Sequence, residues 1–254
     1  MSWKINGEAM GLKQAIMTRC SRRSYTKEPL DEDTLIRLLD AIEECNQRGG
    51  LHIQMHTEET EAFSGMKACF FVGVRNYFVM AGRADDPDLD EKLGYYGESL
   101  VLLATQMGLG TCWVAGTYDP SKVICELDEG EIVRCVIAFG HVKDRKTARE
   151  RAIAKTVKRK TREIREMLVS EEDPENWVVD GMRCVVRAPS AMNRQPVKFY
   201  FSEGTVTAAV DEKRDTDLLD LGIAKLHFEI GAGSGSWEFG NGGSFEYGGL
   251  PYGY

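Results

Sequence analysis

The chain has 254 residues, of which 43% are hydrophobic and 28% charged, enough for one large domain or two small ones around a buried core. Its net charge of −8 excludes a nucleic-acid-binding surface spread over the whole molecule, while leaving room for a local basic pocket that takes a phosphate. No apolar run approaches the roughly 18 residues of a membrane helix, and the start "MSWKINGEAM" has no apolar centre of the signal-peptide kind.

"DEDTLIRLLDAIEECN" has an acidic start and apolar residues at helical spacing (Leu35, Ile36, Leu38, Leu39, Ile42), so an amphipathic helix is expected, ending before Gly49-Gly50. "ACFFVGV" (68–74) is short, apolar and partly β-branched, which predicts a buried strand. "GESLVLLATQM" predicts an apolar helix stopped by Gly108. "DPSKVICEL" predicts a helix with Asp119 as its cap and Pro120 at its first position. "EIVRCVIAFG" reads as a core strand. From Lys143 to Arg165 the composition shifts to Lys, Arg and Ala, which predicts an exposed helical connector with a solvated face. Beyond it, "DPENWVVDGMRCVVRA" predicts a helix, and "VKFYFSEGTVTAAV" two strands around a Glu-Gly turn. "DTDLLDLGIAKLHFEIGAG" predicts a helix closed by glycine. The tail suggests a last short hairpin through Asn241-Gly242, then a glycine-aromatic extension. The seven cysteines are scattered without a C-x-x-C pair, and Cys69 and Cys135 sit in apolar stretches. That is the usage of a reducing cytoplasm, where Cys acts as a small hydrophobe.

The two parts of the chain resemble each other. "LIRLLDAIEEC" before "LHIQMH" is matched by "WVVDGMRCVV" before "VKFYFS", and "LVLLATQMGLGTCW" by "IAKLHFEIGAGSGSW". The order predicts an internal duplication: a first half at 1–145, a basic connector at 146–160 and a second half at 161–254.

Three stretches carry candidate chemistry. "SRRSYTK" (21–27) sets two guanidinium groups beside two hydroxyls before a helix, a pattern that suits a phosphate, although two adjacent Arg are more often an exposed charge pair than a ligand site. "GLGTCWVAG" (108–116) is either a helix end and buried strand or a glycine-rich approach to a flat ligand. "APSAMNRQP" (188–196) is either a helix terminator leading into a strand or a source of Asn193 and Gln195 for a polar heterocycle. Three decoys are set aside. "GAGSGS" (231–236) follows a helix rather than a strand. His52 and His56 have no Cys or acid at ligand spacing, so no metal site is expected. Ser190 lacks the elbow of a hydrolase nucleophile.

As an ordered set, "RRSYT", "GLGTCW" and "APSAMNRQP" resemble the nitroreductase family of FMN-dependent oxidoreductases, in particular its single-chain TM nitroreductase branch with a duplicated α+β nitroreductase fold. The resemblance runs from about Lys13 to Tyr247. It implies that one chain stands in for the family homodimer, a monomer built as a pseudo-dimer. "RRS" and "GLGTCWVAG" of the first half would then meet "APSAMN" of the second at a single site. The reciprocal site would be missing, because the first half has only "CNQRGG" at the corresponding place, so one FMN per chain is expected.

Residue by residue, the resemblance implies that Arg22, Arg23 and Ser24 hold the phosphate and ribityl chain, with Arg159 of "KRKTREI" as a second phosphate contact helped by Lys158 or Lys160. Pro189, Ser190 and Asn193 would line the ring edge. Backbone N–H groups around Ala115 and Gly116 would face the flavin, Gly110 and Thr111 of the same stretch would also bind the cofactor, and Thr26 closes the first motif where a second Arg or Lys is common. Val197 replaces a frequent Trp, and Ala115 a usual Gly. The implied activity is hydride transfer from NAD(P)H through the flavin to a nitroaromatic, quinone or similar small acceptor. The flavin would carry the chemistry, with no catalytic side chain. Two other readings stay open: an FMN-sequestering or electron-relay protein without NAD(P)H turnover, and a structural relative that binds no flavin. The expected location is cytoplasmic, with neither membrane nor nucleic acid as a partner.

Overall fold

In the computed structural model, which describes residues 3–5, 8–66, 68–156 and 160–248, a hairpin of β1 (Trp3–Ile5) and β2 (Glu8–Met10) leads into α1 (Leu12–Thr18). Helix α2 (Glu32–Gly49) begins where sequence placed it. Asp31 caps it by accepting from the Thr34 N–H at 2.8 Å, Glu32 and Asp33 face its dipole, and Gly50 closes it in the left-handed conformation. There follow β3 (Gln54–His56), β4 (Asn76–Arg83), α3 (Leu89–Gln106), β5 (Gly110–Val114) and β6 (Glu131–Gly140). These four strands form an antiparallel sheet in the order β3-β4-β6-β5. Its apolar strands do not alternate, because both faces are covered. Phe78, Met80, Ile137 and Phe139 pack towards α2 and α3, while Tyr77, Val79, Val136 and Ala138 pack beneath Tyr25, Phe71 and Tyr118.

Two expectations about this half are corrected. Residues 68–74 are turns with one isolated bridge, Val72 to Ser24, and the strand starts later, at Asn76. The cause is Gly73, which turns the chain at φ 70° and lies so close to the Tyr25 carbonyl that a Cβ there would collide with it. Cys69 is consequently exposed, whereas Cys135 is buried. After Asp119, which does cap Ser121 N–H, only one short turn, Pro120–Lys122, is helical.

The basic stretch forms α4 (Ala148–Thr156), and α5 (Ile164–Met167) opens the second part. Then come β7 (Leu168–Ser170), α6 (Asn176–Val185), β8 (Lys198–Ser202), β9 (Thr205–Ala209), α7 (Asp217–Ala232), β10 (Ser236–Trp237) and β11 (Ser244–Glu246). The expected β8–β9 hairpin turns at Glu203-Gly204, both at positive φ, and α7 is closed by Gly233. The final hairpin pairs Trp237 with Phe245 across a loop in which the Asn241 amide bonds both backbone groups of Val210. Along β8 and β9 buried and more exposed residues alternate, so one face, including Phe199, Phe201 and Val206, packs on α6 and α7.

The second sheet runs β7-β8-β9-β11-β10, with β7 parallel to β8 and the rest antiparallel. With β7 left aside, both sheets have the same strand order, first-second-fourth-third. Each is preceded by one helix (α2, α6) and has another (α3, α7) between its second and third strands. The long helices α3 and α7 pack directly on each other. Gly94 of α3 lies against the Leu219 carbonyl, and Gly222 of α7 against the Glu91 carbonyl. The contact is reciprocal: each glycine meets the residue three positions before the other one.

Among the described residues no helix is long and apolar enough to cross a membrane.

Candidate functional site

Residues 21–24 run as an extended segment along the free edge of β5. Ser21 bridges Thr111 in parallel, and Arg22 N–H donates to the Thr111 carbonyl at 2.8 Å. On one side of this segment opens a cavity of about 460 Å³, a volume suited to a cofactor-sized ring system. It lies where the end of β5, the first turns of α7, the loop after α6, and α4 converge. Its walls are mostly apolar, with polar groups contributed by Ser21, Arg23, Ser190, Thr216 and Asp220. Arg23 sits over the ring of Phe71, 6.0 Å from its centroid.

The loop 188–196 is locally strained and rigidly held. Met192, Asn193 and Gln195 all have φ near +50°, a conformation that costs L-residues of order 1 kcal/mol or more each. Its bonds over-determine it. Asn193 N–H donates to the Ser190 carbonyl and Gln195 N–H to Ser190 Oγ, both at 2.9 Å. Arg194 donates to Asp217 at 2.6 Å and to Thr216 Oγ1 at 2.7 Å, and Ala191 N–H donates to Asp220 at 2.9 Å. Burial pushes the Asp220 carboxyl up to about 7, against the opposing pull of Ala191 N–H and the Arg194 guanidinium.

Along its outer edge, away from β5 and beside the cavity, the 21–24 segment builds a second feature. The guanidinium of Arg22, 6% exposed, donates from Nε to Glu150 Oε1 at 3.1 Å and from Nη2 to the Lys143 carbonyl at 2.8 Å. The same Glu150 oxygen accepts from Arg23 N–H at 2.9 Å and from Ser24 N–H at 3.3 Å. The other oxygen accepts from Thr147 N–H at 2.8 Å, while Thr147 Oγ1 accepts from Glu150 N–H at 3.2 Å and lies 3.2 Å from Ser24 Oγ. Thr147 and Glu150 thus form a capping box at the start of α4. Burial acts to raise the Glu150 carboxyl, but the N–H groups of Arg23 and Thr147 and the Arg22 guanidinium hold it down at about 2.

Of the expected site residues, Arg23, Ala115, Gly116, Pro189 and Ser190 line the cavity together. Arg22 and Ser24 face Glu150 and Thr147 instead. Gly110 and Thr111 support Arg22: a Cβ at Gly110 would crowd the Arg22 side chain. Thr26 bonds the His141 carbonyl through its N–H, and Asn193 shapes the loop without lining the cavity. Arg159 and Lys158 lie outside the described residues. Lys160 is exposed, 3.6 Å from Glu163.

Sequence reasoning missed Glu150 and Asp220. The T-x-x-E spacing of Thr147 and Glu150 signals a helix start, but neither its docking beside Arg22 nor the place of Asp220 under Ala191 has a local signal. The fold also brings Glu131 and Asp128 beside His52, with Glu131 Oε2 at 2.5 Å from His52 Nδ1. That acidic partner lies 79 residues from the histidine.

The family model described as "Putative TM nitroreductase" matches residues 11–232. No curated protein matches the sequence. Among solved structures, a "putative nitroreductase" from Thermotoga maritima MSB8 is similar, with 23% identity, 93% of this chain and 92% of that chain covered, and a TM-score of 0.61. An FMN-dependent nitroreductase from Clostridium difficile R20291 is 17% identical over 53% of this chain and 89% of its own, with a TM-score of 0.42. A nitroreductase with bound FMN from Bacteroides fragilis NCTC 9343 is 16% identical over 55% of this chain and 95% of its own, with a TM-score of 0.41.

Proposed function

Because the chain belongs to the TM nitroreductase family, we propose that it is a flavin oxidoreductase whose cavity takes the ring of one FMN per chain. In this reading it passes hydride from NAD(P)H to a nitroaromatic, quinone or similar small acceptor. One observation carries the reading. Arg23, Ala115 and Gly116 from the first part of the chain share a cavity with Pro189 and Ser190 from the second, although nothing in their sequence spacing requires it.

The residues present suit a planar heterocycle. Phe71, Val114, Leu219 and Ile223 supply apolar walls, and the stretch Ala115–Gly116, with no bulky side chain, lets backbone N–H groups approach a ring edge. Ser190 is held by Gln195 N–H, so the loop is set in shape before any ligand arrives. Bound FMN supplies the hydride-relay chemistry. The Arg23 charge and the nearby N–H donors favour negative charge developing in the cavity, an electrostatic contribution that needs no acid–base side chain.

The same reading makes the chain a pseudo-dimer, with halves at 1–145 and 161–254 joined by 146–160. Its support is the shared strand order of the two sheets and the reciprocal Gly94 and Gly222 contacts across α3 and α7. The halves differ at the site. Helix α2 ends at Gly49 and the chain returns to its sheet directly, whereas α6 is followed by the strained loop 188–196.

The test is an absorption spectrum of the protein loaded with flavin, repeated anaerobically with NADH or NADPH. Flavin at close to one per chain that bleaches on adding pyridine nucleotide is expected. Flavin that stays oxidised would favour the carrier or electron-relay reading. A folded protein that takes up no flavin would overturn the assignment.

A further inference from the structure

An arginine guanidinium, two consecutive backbone N–H groups and a threonine N–H directed at the two oxygens of one anionic group form an anion cradle. Here Arg22, Arg23, Ser24 and Thr147 build it, and the chain's own Glu150 fills it. Glu150 is 2% exposed, and three residues further along α4 Ile153 lines the cavity. The cradle and the cavity share residue 23, whose N–H faces the carboxylate while its side chain faces the cavity. A ligand with its ring in the cavity and an anionic tail beyond Arg23 therefore meets a carboxylate where its tail would bond.

Resting on the flavin reading above, we propose that Glu150 is a specificity-determining residue: an internal anion that competes with the ligand's terminal phosphate for the Arg22 cradle. Phosphate and carboxylate bond the same donors and repel each other, so the phosphate enters only as Glu150 leaves. Leaving breaks the capping box with Thr147 and loosens the first turn of α4. The phosphate of FMN therefore adds little net affinity in the natural sequence, and the site grips a flavin mainly by its ring. Removing the Glu150 charge frees the cradle and makes the phosphate the dominant handle.

The experiment compares equilibrium binding of FMN and of riboflavin to the natural chain, to Glu150→Gln and to Glu150→Ala, with inorganic phosphate titrated into the same three proteins by calorimetry. Glu150→Gln keeps the side-chain length and an acceptor oxygen, so a fold defect confined to the alanine variant is recognised as such. The natural chain is expected to bind FMN within about threefold of riboflavin. Both variants are expected to gain at least tenfold for FMN, change less than threefold for riboflavin, and acquire a phosphate site that the natural chain lacks. An FMN preference of a hundredfold or more in the natural chain, unchanged in the variants, would overturn the proposal while leaving the flavin reading intact. If no protein binds flavin but only the variants bind phosphate, the flavin reading fails and the cradle stands. Folded variants that bind neither would sink both.

Discussion

Asp220 and Glu150 border the site, and burial penalises the charge of each, yet their partners decide opposite outcomes. Asp220 has one N–H and a more distant guanidinium, 3.5 Å away, which leaves desolvation in control and its carboxyl at about 7. Glu150 receives three N–H groups and a guanidinium and sits at about 2. The signs differ accordingly. For Asp220 the folded protein holds the proton more tightly than the unfolded chain, so its contribution is present below pH 4 and is lost as the pH rises through about 7. For Glu150 the contribution is present above its ordinary titration near 4.5 and is lost as the pH falls towards 2. Melting temperatures measured against pH should therefore diverge in separate windows. Asp220→Asn should gain on the natural chain between pH 4 and 7, by an amount equivalent to about 1–4 kcal/mol. Glu150→Gln should lose to it above pH 5, the gap closing on acidification. A gap for Asp220→Asn that is flat with pH would contradict its assigned environment.

At the scale of elements, glycine inside a helix normally costs about 1 kcal/mol relative to alanine, so Gly→Ala in α3 or α7 would ordinarily stabilise. Here the sign reverses. A Cβ at Gly222 would overlap the Glu91 carbonyl and one at Gly94 the Leu219 carbonyl, and both obstacles are backbone that can yield only if the helices separate. Gly222→Ala and Gly94→Ala are each expected to lower stability by about 3 kcal/mol or more, read as a fall in the urea midpoint. Gly116→Ala, where nothing lies within 4 Å, should be near neutral and serves as the control. An unchanged midpoint for Gly222→Ala would mean that α3 and α7 are not in this close contact.

For the whole molecule, buried polar ties join the two parts. Lys225 of α7, fully buried, donates to Glu91 of α3 at 2.5 Å and to the carbonyls of Glu238 and Gly240 at 3.0 Å each. Glu98 of α3 accepts from Trp113 Nε1 at 2.8 Å and pairs with His227 of α7 at 3.0 Å. Lys225→Met would leave the Glu91 carboxylate buried without its cation, and a loss of about 3–5 kcal/mol is expected from chemical denaturation. The double variant Lys225→Met with Glu91→Leu should recover much of it. No recovery would mean that the pair acts through shape rather than charge.

These scales differ in how far the sequence reaches. It determined what local chemistry can determine: the Asp31 cap, the Gly50 and Gly233 stops, the Glu203-Gly204 hairpin and the alternation along β8 and β9 each depend on neighbours a few residues away. It also held the order of motifs that marks the family and pointed to the stretches whose Arg23, Ala115, Gly116, Pro189 and Ser190 meet in one cavity. It misled at 68–74, where apolar composition suited a strand but the close approach of Gly73 to Tyr25 required a turn. Only the tertiary structure decided which side of the 21–24 segment each arginine faces, because the carboxylate that takes Arg22 lies 128 residues away in sequence. Successive residues of an extended segment point to opposite faces. Adjacent arginines that look equivalent in the sequence are thus divided, Arg23 to the cavity and Arg22 to Glu150.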